Sequence, residues 1–181
     1  MNLPNAVTIG RIFLVPLLVV VLLTKFEGRL ILGVRKELVG AAIFGIAALS
    51  DVLDGYLARR RKQVTTFGQL MDPLADKLLV TAALFSLVQM DLITAWVAAV
   101  LVGREFAVTV LRSIAYGKGI VIPASPMGKI KMGAEVTGIL ALILGQVEDL
   151  QPLHVIGVIA LWVAMVAAIV SGVDYYRRSG L

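Results

Sequence analysis

Long apolar stretches limit what this chain can fold into. They fall at residues 12–24, 38–50, 78–90, 92–116, 127–146 and 153–176, separated by charged or Gly- and Pro-rich breaks, the longest at 51–77. The core of a bilayer offers no water to satisfy backbone amides, so a spanning chain must close its own hydrogen bonds, and a helix does so within one segment. About 20 residues of helix cross that core. Composition agrees, with 59% of the 181 residues hydrophobic, against about 45–50% in soluble domains. The expected fold is all-α and integral to the membrane. It is a single domain over residues 1–181, with six transmembrane helices and an N-terminal interfacial segment at 1–11.

The breaks set the expected helix ends. Pro4 suits an early helical position. The first apolar stretch lacks a clear n-region and a small-residue cleavage site, so it is expected to stay as a membrane helix. Residues 25–37 read as a charged loop containing Gly28 and Gly33. The second helix flows without a breaker through Asp51 to about Arg59. Residues 65–68 read as a turn, and Pro73 as the first turn of the third helix. Helices four, five and six are expected over 92–116, 127–146 and 153–176.

An even number of crossings leaves both termini on one side. Of the 17 lysines and arginines, only Lys25, Arg29, Arg35 and Lys36 fall on the opposite side. By the positive-inside rule the termini and residues 59–62 then face the cytoplasm. The first external loop is more basic than that rule expects. A net charge of +5 fits loops facing anionic lipid better than it fits nucleic-acid binding. The absence of cysteine excludes disulfides and thiolate metal sites. His154 is the sole histidine, which argues against His-based zinc chemistry and a Ser-His-Asp triad. It reads as an interfacial residue near a helix start.

Between the second and third apolar stretches lies DVLDGYLARRRKQVTTFGQLMDPLADK, beginning at residue 51. On a helix, residues three and four apart share a face. Asp51 and Asp54 therefore point one way, beside Gly55 and Ala58. Asp72 and Asp76 share a face on the next helix. Four carboxylates drawn together repel one another unless a cation sits among them. Oxygen-only ligands suit Mg²⁺, Mn²⁺ or Ca²⁺. Gly55 and Gly68 permit close approach of a ligand or backbone, and Arg59 can hold a phosphate through its planar fork. Helix capping and pairing with residues 59–62 would account for any one of these aspartates. They do not account for all four at these spacings with the small residues beside them.

The pattern D-x2-D-G-x2-A-R-x8-G-x3-D-x3-D is present in full, as Asp51, Asp54, Gly55, Ala58, Arg59, Gly68, Asp72 and Asp76. It resembles the signature of the CDP-alcohol phosphatidyltransferases. That resemblance implies a six-helix membrane fold, usually a homodimer, with a cytoplasm-facing site open to lipid. It implies two divalent cations, Mg²⁺ or Mn²⁺, held by Asp51, Asp54, Asp72 and Asp76. Asp76 would also be the base. Asp51, Gly55, Ala58, Arg59 and Gly68 would surround the cytidine diphosphate, with Asn5 and Thr8 bordering the nucleotide. The implied reaction is attack of an acceptor hydroxyl on the β-phosphorus of a CDP-alcohol, with CMP leaving.

Three further segments bear on the acceptor: NLPNAVTIGRI at 2–12, GREFAVTVLR at 103–112 and GKIKM at 128–132. They resemble the branch of that family that joins CDP-diacylglycerol to glycerol 3-phosphate. The chemistry agrees, because Arg104, Arg112, Lys129 and Lys131 fall at the expected cytoplasmic ends of helices four and five. Four cations suit an acceptor that carries its own phosphate. Positive-inside charges or lipid-headgroup contacts are the plainer explanation for any one of them. Inositol phosphate and phosphatidylglycerol are the other acceptors to weigh. A divalent-cation transporter is a separate class, but the carboxylates lie at one membrane face and no matched pair of broken helices is evident.

Overall fold

A computed structural model describes residues 3–24, 30–31, 33–61, 66–120, 123 and 125–178; for residues 3–8, 51–61, 66–73 and 76 the description is of backbone alone. Six α-helices account for most of it: α1 Leu3–Leu23, α2 Lys36–Arg61, α3 Thr66–Gln89, α4 Ala95–Gly117, α5 Pro126–Leu144 and α6 Pro152–Arg178. α6 alone among the described residues has an uninterrupted window long and apolar enough to cross a bilayer. Shorter apolar stretches occupy Ile9–Leu23 and Lys77–Gln89.

Several boundaries differ from the sequence expectation, α4 for one beginning at Ala95 where residue 92 was expected. The segment at 1–11 is not separate from the first helix, because α1 runs unbroken from Leu3 to Leu23. Its polar residues continue the same hydrogen-bonded ladder, and the helix also contains Pro16. Residues 66–68, expected in a turn, already belong to α3, which begins at Thr66, so Pro73 lies beyond its first turn. A proline favours the first turn because it lacks an amide hydrogen; further in, it forfeits one backbone hydrogen bond and its ring presses on the carbonyl four residues back, a cost that helices in lipid accommodate when neighbouring groups satisfy the freed carbonyl. The loop expected at 25–37 contains a small hairpin, β1 Leu30–Ile31 and β2 Val34–Arg35, paired antiparallel with Leu30 opposite Arg35. Gly33 turns it at φ 82°, a conformation natural to glycine.

Two of that loop's four basic residues, Lys36 and Arg35, have partners that account for them. Lys36 Nζ donates to the carbonyls of Leu22 at 2.9 Å and Thr24 at 3.1 Å. These belong to the C-terminal end of α1, where carbonyls lack helical partners and a cation complements the dipole. Arg35 reaches Glu148, 3.4 Å away, in the 3-10 turn Glu148–Leu150 that precedes α6.

α5 and α6 form the tightest hairpin. A β-carbon on Gly157 would lie 2.9 Å from the Leu142 amide nitrogen, and one on Gly138 would lie 2.8 Å from Leu161 Cγ. Small residues let helices approach in this way where lipid gives little hydrophobic drive between them. Leu18, Leu22, Phe44, Leu84, Leu87, Leu101, Ile139, Leu142, Ile143 and Leu161 form the fully buried core. α1 packs on α2 and α3, and α4 packs on α6. Much of the exterior is equally apolar: Val155, Ile159, Val166, Ile169 and Val173 are all exposed along α6. A helix apolar on every side suits an apolar solvent.

Candidate active site

A cavity of about 790 Å³ opens between α3, α4, α5 and α6. α3 contributes Lys77, Val80 and Thr81; α4 contributes Arg104, Glu105, Val108, Thr109 and Arg112; α5 contributes Gly128, Lys129, Lys131 and Glu135; α6 contributes Tyr175. The structure thus brings Arg104, Arg112, Lys129 and Lys131 to one cavity and adds Lys77. Five cations against two carboxylates leave this lining positively charged, which attracts an anion.

Local structure explains the placement. α5 begins at Pro126, and Ser125 caps it, its hydroxyl accepting from the Gly128 amide at 3.1 Å. Ser and Pro at these two positions are strong helix-start signals. Lys129 follows early in that helix, where the dipole already favours an anion. On α4, Arg104 and Arg112 are eight residues apart, and both approach Tyr175: the guanidinium carbons lie 5.8 and 5.1 Å from its ring centroid.

The four cations are not equivalent. Arg104 spans from α4 to α6: Nη2 donates to Ser171 Oγ at 2.5 Å, Nε to the Ala168 carbonyl at 3.3 Å, and Nη1 to Glu105 at 3.1 Å. Lys131 is buried, paired with Glu105 and, at 2.5 Å, with Glu135. A charge chain results, running Glu135–Lys131–Glu105–Arg104 and ending on Ser171. Arg112 and Lys129 are exposed, and neither has a carboxylate partner among the described residues. Lys77 donates to Thr109 Oγ1 at 2.5 Å, and Thr109 Oγ1 donates to the Glu105 carbonyl at 2.7 Å. Sequence reasoning did not single out Lys77, Glu135, Ser171 or Tyr175. The Lys131–Glu135 spacing of four was the one available signal. The Arg104–Ser171 contact bridges 67 residues.

The signature positions are placed by backbone only. Asp51, Asp54, Gly55, Ala58 and Arg59 lie in the C-terminal part of α2, and Gly68, Asp72 and Asp76 lie in the N-terminal part of α3. Both segments are helical, as the spacing argument requires. Their side chains, with those of Asn5 and Thr8, lie outside the described residues. Cavity-lining Lys77 immediately follows Asp76, and Val80 is one helical turn further on.

Known proteins resemble this chain along its length. A family model described as CDP-alcohol phosphatidyltransferase matches residues 1–170, a stretch that ends before Tyr175. The CDP-diacylglycerol–glycerol-3-phosphate 3-phosphatidyltransferase of Bacillus subtilis (strain 168) is 44% identical over 183 residues, covering 98% of this chain and 95% of that protein. The protein of the same description from Rickettsia typhi is 35% identical over 177 residues, covering 97% of this chain and 96% of its own. A probable phosphatidylglycerophosphate synthase of Mycobacterium tuberculosis is 37% identical over 180 residues, covering 98% of this chain and 81% of its own.

Proposed function

This chain belongs to the CDP-alcohol phosphatidyltransferase family, and we propose that it transfers the phosphatidyl group of CDP-diacylglycerol to glycerol 3-phosphate, forming phosphatidylglycerophosphate and CMP. The cationic cavity, which abuts the helix bearing Asp72 and Asp76, supports an acceptor that carries a phosphate, and the description of the relatives singles out glycerol 3-phosphate among such acceptors. A neutral acceptor has no use for such a lining. One that carries a phosphate does. Arg112 and Lys129, free of carboxylates among the described residues, grip that phosphate. Arg104 and Lys131 support them and complete the positive wall.

The donor end is built from the signature. Asp51, Asp54, Asp72 and Asp76 offer oxygen donors alone, paired at three- and four-residue spacing on helical backbone. That set fits two ions of Mg²⁺ or Mn²⁺. Such ions, when bound, would neutralise the charge of the pyrophosphate and of the departing CMP. Arg59 adds a guanidinium to the donor phosphates. Gly55, Ala58 and Gly68 leave room for the nucleotide, with Asn5 and Thr8 at its border. Asp76 accepts the proton of the acceptor hydroxyl. The hydroxyl oxygen then bonds to the β-phosphorus, the bond from that phosphorus to the CMP oxygen breaks, and CMP leaves with the electron pair. Holding both reactants in one site supplies orientation that solution does not.

The exposed apolar faces support six membrane crossings, with both termini and the site at the cytoplasmic face of the cell membrane. The working unit is a homodimer by family likeness. Incorporation of radiolabelled glycerol 3-phosphate into lipid by the purified protein tests the reaction. Label should enter lipid only when CDP-diacylglycerol and a divalent cation are both supplied. Incorporation that is indifferent to CDP-diacylglycerol would refute the assignment.

A further inference from the structure

An arginine that must bind a substrate phosphate poses a design problem. Its long side chain has many rotamers, and fixing it costs entropy. A carboxylate partner would hold it but would also compete with the phosphate. An aromatic face orients a guanidinium without neutralising it, and leaves the N–H edge free. Arg112 meets this description. It lies 5.1 Å from the Tyr175 centroid and has no carboxylate partner among the described residues.

Tyr175 does more than face Arg112. It is 4% exposed, and the Arg104 guanidinium also lies beside its ring at 5.8 Å. Its hydroxyl oxygen accepts from the backbone amide of Ser125 at 3.1 Å. Ser125 is itself buried and caps α5, the helix that carries Lys129. One side chain near the end of α6 therefore touches both arms of the cavity, α4 through its ring and α5 through its hydroxyl.

We propose that Tyr175 is a positioning residue for the acceptor: its ring aims Arg112, and its hydroxyl fixes the start of α5 and so Lys129. The inference rests on the reading of the basic cavity as the glycerol 3-phosphate site. Tyr175 touches no reacting atom. It sets affinity for the acceptor and leaves the donor site alone.

The two functions separate by substitution. Tyr175→Phe keeps the ring and removes the acceptor of the Ser125 amide. Tyr175→Leu removes both. KM and kcat are measured for glycerol 3-phosphate and for CDP-diacylglycerol in detergent micelles, beside Arg112→Ala and the Tyr175→Leu/Arg112→Ala double variant. Tyr175→Phe should raise KM for glycerol 3-phosphate about five-fold, and Tyr175→Leu about thirty-fold. KM for CDP-diacylglycerol and kcat should stay within about two-fold of the parent. The ring contribution should vanish once Arg112 is gone, so the double variant should be less impaired than the product of the single effects. A rise in both KM values together, or strict multiplication in the double variant, would overturn the proposal. Should Tyr175→Leu not fold, the selective KM effect of Tyr175→Phe decides. If Arg112→Ala leaves KM for glycerol 3-phosphate unchanged, the acceptor-site reading itself fails, an outcome distinct from a failure at Tyr175 alone.

Discussion

Replacing Lys131 by methionine should destabilise the fold by about 3–5 kcal/mol. The change is small in shape and large in charge. Lys131 and Glu135 are each 3% exposed, and their charged atoms lie 2.5 Å apart. Glu105 would keep Arg104 at 3.1 Å. Glu135 would keep no cation: among the described residues Lys131 is its sole ionic partner, and its Oε1 accepts no hydrogen bond from them. A buried carboxylate without a counter-charge is among the most destabilising single changes. At about 2–4 °C per kcal/mol for a chain of this size, the unfolding midpoint should fall by about 6–20 °C. Thermal unfolding in detergent, followed by circular dichroism, measures it. A second variant isolates the cause. Lys131→Met combined with Glu135→Leu removes both charges and should recover most of the loss, because apolar groups of similar volume often replace a buried pair without cost. A single variant as stable as the parent, or a double variant less stable than the single, would refute the reasoning.

Three other outcomes follow. Asp76→Asn should abolish CMP release while CDP-diacylglycerol binding survives; nucleotide binding lost as fully as turnover would make Asp76 chiefly a metal ligand. Gly157→Val should destabilise by about 1–3 kcal/mol, since its β-carbon meets the Leu142 amide nitrogen at 2.9 Å; an unchanged unfolding midpoint would contradict the close α5–α6 packing. Lys36→Met should lower stability by about 1 kcal/mol through loss of its bonds to the Leu22 and Thr24 carbonyls; faster amide exchange confined to the end of α1 would locate the effect.

The six helices were legible because apolar runs and polar breaks report directly on the solvent each segment needs. Helices α5 and α6 begin one residue before their expected starts at 127 and 153, because Pro126 and Pro152 open the helices instead of closing the breaks before them. Thr66, Phe67 and Gly68 were misread as turn because Pro73 carries a stronger local signal than the residues before it. The signature aspartates stand out because their pattern sits in spacing along one stretch, and the structure adds only that they fall on the helical backbone of α2 and α3. Arg104, Arg112, Lys129 and Lys131 were found by charge, and the fold gathers them at one cavity. Their unequal surroundings were not legible. The carboxylates come from Glu105 on α4 and Glu135 on α5, whereas the ring that Arg104 and Arg112 meet and the hydroxyl that anchors Arg104 belong to Tyr175 and Ser171, brought from α6 by tertiary packing. The hairpin at Leu30–Arg35 escaped notice because its strands are two residues each, too short for an alternating pattern.

The central claim is that this chain joins a CDP-lipid to a phosphorylated acceptor. Its most direct test is CMP release from CDP-diacylglycerol with Mg²⁺, comparing glycerol 3-phosphate, glycerol, inositol phosphate and phosphatidylglycerol. Release with glycerol 3-phosphate, and not with the other three, is the predicted result. Release that proceeds equally with glycerol would contradict the role given to Arg112 and Lys129, release with inositol phosphate or phosphatidylglycerol would contradict the choice of glycerol 3-phosphate, and no release with any acceptor would contradict the reaction.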